Sequence, residues 1–341
     1  MASELQNLTE MTEKFSIDPV YETNWCDLSE KIKSKCIGKM EFNERLSLRC
    51  TAKAERSLVD SQKNEFNEGR FEGDDEKFSF FLNRNDDHKY SKRWMYINEA
   101  FELLKYIKKV GTFENLEISF SHPLTDRKHL MTETGLLTAK HVKFYHCNND
   151  NMFAILRKMK DGVESIKIHL DRKDYDQLDC DEVLAIPQVQ KVPNLHLQNY
   201  DQTDSLRKVA KMWIKKKAKI GTTFQLSVNE EGSFGEFTQH FSNRLVSCTD
   251  KTIRIRANKL DRHILLEHGP FSDQFCVIPQ YFRMMVISAE MKESEYDDNR
   301  EEWIGNMDPA SDDDFRLPGF CYDDLYDEDY DDYYRAGYDS D

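Results

Sequence analysis

Apolar residues near the start of the chain recur every fourth position: Leu28, Ile32, Cys36 and Met40, with Ile37 beside them. That spacing draws one apolar stripe on a helix ending near Met40. Asp27-Leu28-Ser29-Glu30 reads as its start, with Asp27 as N-cap and Glu30 reaching back to close a capping box. Phe42 to Leu48 gives a second short element, and Thr51 to Asp60 a third, charged helix closing on Leu58 and Val59. Three helices in so short a stretch bury little surface alone, so such a block needs a partner or a staple.

Further on the period changes from four to two. Leu116-Phe120, Val142-Phe144, Ile166-Leu170, Leu195-Leu197 and Phe224-Val228 alternate apolar and polar residues, as half-buried strands do. Their first residues lie 26, 24, 29 and 29 positions apart, and Ile253-Arg254-Ile255 follows 29 beyond the last. Between them, Phe101/Leu104/Ile107, Phe153/Leu156/Met159, Leu206/Val209/Trp213 and Phe234/Phe237/Phe241 follow helical spacing. One strand and one helix per repeat predicts an α/β solenoid. Phe113-x-x-Leu116-x-Ile118, Val163-x-x-Ile166-x-Ile168 and Val192-x-x-Leu195-x-Leu197 meet the start of the leucine-rich-repeat pattern, whose later Asn or Cys is met only by Cys147. A single parallel sheet with helices on both faces shares the same alternation and stays open as the rival. Lys251 to Pro270 reads as two strands around a polar turn at Asn258-Asp261, and Tyr281 to Ala289 as a strand capping the array.

Charge divides the chain differently. The net charge of the 341 residues is −15, yet residues 308–341 hold 13 acids against two arginines, leaving only −4 to residues 1–307. Six tyrosines interleave with those acids and no period is visible, so this stretch reads as a disordered acidic tail. Residues 1–22 are polar and patternless. The acidity argues against a protein built to neutralise phosphate backbones. Against it stands one basic helix, with Arg207, Lys211 and Lys215 on one face and Lys208, Lys216, Lys217 and Lys219 around them. Its plainest reading is a solvated face opposite Leu206, Val209 and Trp213; the others are contact with the acidic tail and contact with a nucleic acid or phosphoprotein.

Few enzyme chemistries find raw material. The eight cysteines form no C-x-x-C pair, against a zinc ribbon and in keeping with a reducing compartment. His263-x-x-x-Glu267-His268 matches no zinc-binding string, and no Gly-rich phosphate loop, nucleophile elbow or kinase string occurs. We therefore expect no catalytic residue, no metal and no cofactor. The longest apolar runs, such as Met284-Ile287, fall far short of a membrane span, and the first 25 residues lack the pattern of a signal peptide.

Trp25-Cys26-Asp27-Leu28-Ser29-Glu30-Lys31-Ile32, Cys36-Ile37-Gly38-Lys39-Met40 and Arg45-Leu46-Ser47-Leu48-Arg49 together resemble an F-box. The continuation Ala54-Ser61 is similar to the F-boxes of the expanded nematode F-box proteins with a family-specific associated domain, a likeness that runs on through Glu290-Asp297. The family's usual Leu-Pro opening is Leu28-Ser29 here, and its late tryptophan is replaced near Arg56. The resemblance implies docking on a Skp-type adaptor and, through it, on a cullin.

The expected architecture is α/β: a flexible N-terminus at 1–24, a three-helix F-box at 25–63, a linker at 64–93, a leucine-rich-repeat-like α/β array at 94–290, and an acidic Tyr-rich tail at 291–341. The expected adaptor contacts are Leu28, Ser29, Ile32, Cys36, Ile37, Met40, Leu46 and Leu48. The outward strand positions Glu117, Lys143, Lys167, His169, His196, Gln225 and Arg254, with Ser119 and Ser227, are the expected target-binding face. The functional expectation is an intracellular (cytoplasmic or nuclear), non-catalytic substrate receptor of a Skp-cullin-F-box ubiquitin ligase. Its partners would be the adaptor and an unknown protein substrate, with no membrane and no nucleic acid. The alternatives are a non-ligase interaction scaffold with a decayed F-box, a nucleic-acid binder using Lys215-Lys219, and a hydrolase, which lacks any nucleophile–base string.

Overall fold

The structure, a computed structural model, describes residues 24–74, 77–84, 89–122, 136–170, 178–200, 204–228, 233–269, 280–296, 303–304 and 307. The expected loose N-terminus and acidic tail therefore fall almost wholly outside the described residues. Three helices come first: α1 (Glu30–Lys39), α2 (Phe42–Arg49) and α3 (Lys53–Ser61). A mixed α/β region follows. The chain divides into two compact units, the first ending at Ile166 and also taking Ile186–Gln188, the second taking Lys167–Ala185 and resuming at Val189.

Helix starts depart from the expected caps. Asp27 lies in a 3-10 turn, Ser29 is the N-cap of α1, and its side chain makes no capping bond. The capping box belongs instead to α2: Glu41 accepts from the backbone of Glu44, and Glu44 Oε2 accepts from Glu41 N–H at 2.8 Å. A carboxylate at each position suits the positive end of the helix.

In the first unit, the residues expected as a linker form strands. β1 (Asn64–Gly73), β2 (Lys77–Asn83) and β3 (Lys89–Tyr96) are antiparallel neighbours. Charges and glycines mask the alternation of β1. One of those glycines is required, since a Cβ at Gly69 would lie 2.5 Å from the Phe113 ring. Helix α4 (Ile97–Val110) then leads to β4 (Gly111–Phe120), which lies parallel to β1, and β5 (Ala139–Tyr145) lies parallel to β4. The expected repeat spacing places Leu116 opposite Val142, Glu117 opposite Lys143 and Ile118 opposite Phe144. Along β4 buried and half-exposed residues alternate, so one face packs while the other stays partly open.

After α5 (Asn149–Leu156), β6 (Ser165–His169) runs across the point where the units divide. The second unit adds two helices absent from the expectation, α6 (Cys180–Ala185) and α7 (Pro187–Lys191, which begins with the first unit's residues). It then pairs β7 (Asn194–Tyr200) parallel with β8 (Thr223–Val228), with α8 (Ser205–Lys216) between them in sequence. Leu195 meets Phe224 and Leu197 meets Leu226, again as the spacing requires.

Beyond β8 the repeat stops. Helix α9 (Ser233–His240) precedes β9 (Leu245–Cys248), β10 (Thr252–Arg256), β11 (Arg262–His268) and β12 (Gln280–Ser288). The neighbour of β8 is β12, antiparallel, and the order continues outward as β11, β10, β9. Ile253-Ile255 is thus not a sixth repeat strand beside β8, despite its 29-residue interval. The short turn between β10 and β11 allows only antiparallel pairing, because a parallel return needs a long crossover.

Candidate functional site

The helical block is held together from inside and from below. Ile37, Val59, Tyr106 and Val110 form its buried core, with Trp25, Met40, Phe42, Leu46, Leu48 and Leu58 packed around them. Tyr106 and Val110 come from α4. The three helices bury too little among themselves, and the staple they need is the flank of the sheet region.

A charged residue locks this arrangement. Arg45 on α2 is only 1 % exposed. Its Nε donates to the Met40 carbonyl at 3.0 Å, Nη2 to the Gly38 carbonyl at 2.8 Å, and Nη1 to Asn64 Oδ1 at 2.6 Å. One guanidinium therefore ties the α1–α2 turn to the start of β1. Burial, and secondarily Arg84, lower its pKa from the ordinary arginine value. The sequence signal was faint: a lone arginine on the apolar side of a short helix.

A second polar knot joins α2, α3 and α4. Asp60 accepts from Arg49 Nε at 2.7 Å and from Lys109 Nζ at 3.0 Å, and the Arg49 guanidinium lies 4.7 Å from the centre of the Tyr106 ring. Burial pushes the Asp60 carboxyl up, but its hydrogen bonds to Arg49 and Lys109 prevail and hold it below the usual carboxylate range. Burial first, then the Asp60 charge, pushes the Tyr106 phenol up to about 12.

The eight expected adaptor contacts separate into two sets. Ile37 is wholly enclosed and Met40, Leu46 and Leu48 pack against the same core, so these four hold the block together. Ile37 is corrected from contact to core residue, because its position beside the stripe turns it inward. Ser29 and Ile32 are exposed, and Leu28 and Cys36 are half-buried outside that core. Ile32 and Cys36 lie one turn apart on α1, Leu28 stands just before its N-cap, and Ile32 is 47 % exposed. A short apolar ridge on an otherwise charged helix is the block's open surface.

Residues 25–67 match the F-box domain. The match covers α1 to α3 and enters β1, so it takes in the Arg45–Asn64 tie. F-box domains as a class bind Skp-type adaptors of SCF-type ubiquitin ligases. No curated protein matches the chain. Among solved structures, an S-adenosylmethionine-dependent methyltransferase from Clostridium acetobutylicum is similar at 13 % identity and a TM-score of 0.12, over 56 % of this chain and 63 % of that one. At that score the likeness carries no argument about fold or activity.

The expected target-binding face fares unevenly. In the first unit, Glu117 stays half-exposed with its carboxylate 3.3 Å from Arg70, and Lys143 lies over the Tyr145 ring. In the second unit, Lys167 and Gln225 are half-exposed, but His169, His196, Ser227 and Arg254 are buried. Arg254 Nη1 donates to the carbonyl of Met291 at 2.6 Å, and Nη2 to those of Ala289 at 2.8 Å and Ser288 at 3.2 Å. Its Nε donates to His263 Nδ1, which holds that histidine in the neutral acceptor form. Burial, then Arg254 and Arg256, lower the His263 pKa.

Described residues at and beyond the end of β12 contact part of this region, Ala289 and Met291 at Arg254 and Trp303 at Arg283. Arg283 Nε donates to Glu267 Oε2 at 2.6 Å, the Arg283 guanidinium lies 5.2 Å from the centre of the Trp303 ring, and Gln198 Nε2 donates to the Met307 carbonyl at 2.8 Å. His169, His196 and Arg254 are corrected from partner contacts to buried positions. The Arg283–Glu267 pair escaped sequence reading, where each is a lone charge inside an apolar strand. His263 and His268, read as a failed zinc string, have other roles: the first is bonded to Arg254, and the second stacks on Phe282 at 4.8 Å. Among the described residues no helix is long and apolar enough to cross a membrane.

Proposed function

We propose that this chain is an intracellular, non-catalytic substrate receptor of an SCF-type ubiquitin ligase, of the nematode kind that couples an F-box to a leucine-rich-repeat-like associated region. The observation that carries the reading is the F-box match over a block that leaves Ile32 exposed on α1, with Cys36 a turn further and Leu28 just before the N-cap both half-buried. Apolar area left in water at a helix surface is the usual driving term for partner docking. In this reading the adaptor covers that ridge and joins the chain to a cullin. The associated region holds a target protein so that target lysines lie near the ubiquitin-charged enzyme, and catalysis is proximity supplied to another enzyme's thioester chemistry. The half-exposed Glu117, Lys143 and Arg70 on the open sheet face of the first unit are the residues we assign to target contact.

The rival is a scaffold whose F-box has decayed, suggested by Ser29 in the family's proline position. The backbone there speaks against decay. Ser29 has φ −61°, the value that a proline ring imposes, and Leu28 before it is extended at φ −72°, ψ 137°. Co-purification of the full chain with a Skp-type adaptor decides between the readings. Stable binding lost on Ile32→Asp, with an unchanged melting curve, supports the ligase subunit; failure of the wild-type chain to bind would sink it.

A further inference from the structure

Helix α8 carries more positive charge than its surroundings balance. Its first turn is neutralised: Arg207 pairs with Asp204 at 3.0 Å, and Lys208 lies 3.3 Å from Asp204 and 3.1 Å from Asp181. One and two turns later, Lys211 and Lys215 are exposed and pair with no described carboxylate. Both line a cleft of 420 Å³ together with His240, Phe241 and Arg244. The Arg244 Nη1 donates only to a backbone carbonyl, that of Arg256 at 3.3 Å, so its charge too is unopposed among the described side chains. His240 registers the field of this cleft: after burial, Lys211 and Arg207 are what lower its pKa from the ordinary imidazole value. The floor is partly apolar, from Ile214 and the buried ring of Phe241. Three unopposed cations over an apolar floor suit a segment rich in both carboxylates and aromatic rings.

The chain supplies one. The 34 residues after Met307 combine 13 acids and six tyrosines with only two arginines. Met307 is buried in the same unit as the cleft, anchored by Gln198 and packed with Trp303 and Tyr281. At about 3.3–3.6 Å per extended residue, a stretch of that length can reach any point on its own unit. Tethering also raises its local concentration to the order of millimolar, far above that of a free competitor. We propose that the Lys211–Lys215–Arg244 cleft is a docking site for the chain's own acidic, tyrosine-rich segment at 308–341. The contact does not involve the F-box, so its success or failure is independent of adaptor binding.

The test uses the full chain. Zero-length carbodiimide coupling joins a carboxylate to an amine only at contact, and peptide mapping identifies the joined residues. The expected products link Lys211 or Lys215 to carboxylates of residues 308–341, in several-fold excess over the exposed neighbours Lys216 and Lys219. Their yield should fall several-fold from about 0.05 M to about 0.5 M salt as screening shortens the reach of the charges. Equal coupling to all exposed lysines would overturn the proposal. So would products that form only between differently isotope-labelled copies, since these report a second chain as the occupant. As a second readout, K211Q/K215Q should leave the melting curve unchanged while cleavage of residues 308–341 by an aspartate-directed protease accelerates several-fold; an unchanged cleavage rate would count against intrachain docking.

Discussion

Ile32 on α1 and Arg254 on β10 depart in opposite senses from the rule that puts apolar groups inside and charges outside. Ile32 stands 47 % exposed at the centre of a short apolar ridge, while Arg254 is 6 % exposed, its guanidinium bonded to three backbone carbonyls. Each departure is informative because of what surrounds it. The buried arginine is answered by acceptors from its own chain. The exposed isoleucine has no such answer among the described residues, and it is the surface to which the proposed function assigns the adaptor. The sequence marks the helical stripe as the expected adaptor contact and the outer strand positions as the expected target face; the structure encloses Ile37 of the first set and buries His169, His196 and Arg254 of the second.

This contrast can be broken most sharply at the buried pair. Glu267→Gln removes the carboxylate from an enclosed guanidinium and should cost about 3–5 kcal/mol in chemical denaturation, because it breaks a buried ion pair by removing one partner's charge. A loss below about 1 kcal/mol, the range of exposed ion pairs, would mean that this face is open after all. Next in size is Ile32→Asp, expected to weaken adaptor binding by at least about 100-fold, or about 2.7 kcal/mol, with no shift in melting temperature. Leu46→Asp is the informative control: it should lower the melting temperature as well, since Leu46 packs against the Ile37–Tyr106 core. Equal behaviour of the two variants would erase the division between ridge and core.

The knot at Asp60 gives a pH-dependent version of the same question. Its folded pKa is depressed, so the stability it contributes is complete above the unfolded value of about 4 and is lost as pH falls through the lower folded value. Asp60→Asn should therefore flatten the acid limb of stability measured from about pH 6 to about pH 3. An unchanged slope would show that Arg49 and Lys109 are not holding the carboxylate. The smallest effect is expected from Ser29→Pro. With φ already at −61° and the serine side chain making no capping bond, the substitution should stabilise the chain by about 0.4–1 kcal/mol through the unfolded state. Destabilisation would indicate that the family's proline position is conformationally lost here.

Legibility followed the range of the interactions. The stripes at Leu28–Met40, Phe101–Ile107 and Leu206–Trp213 mark helices by local spacing, and the structure has helices there. Strands spaced by complete βα units fell where the alternation put them, with Leu116 facing Val142 and Leu195 facing Phe224. Strand β1 stayed hidden because its packing is completed by a ring from elsewhere, Phe113 lying where a Gly69 side chain would be. In the candidate site, the ridge residues were legible and Arg45 was not, since its partners at Gly38, Met40 and Asn64 meet it only in the folded chain.

By itself, then, the sequence determined the helical block, the βα alternation, the separation of an acidic stretch from a near-neutral body, and the F-box pattern. All four depend on residues close together along the chain, where period and composition act directly. Only the tertiary structure decided that α4 completes the core of the F-box, that β12 rather than Ile253-Ile255 lies beside β8, and which polar residues face water. Those outcomes depend on which distant segment arrives at each surface. Ala289 and Met291 accept from Arg254 and Trp303 lies against Arg283, and neither arginine carries a local mark of those partners.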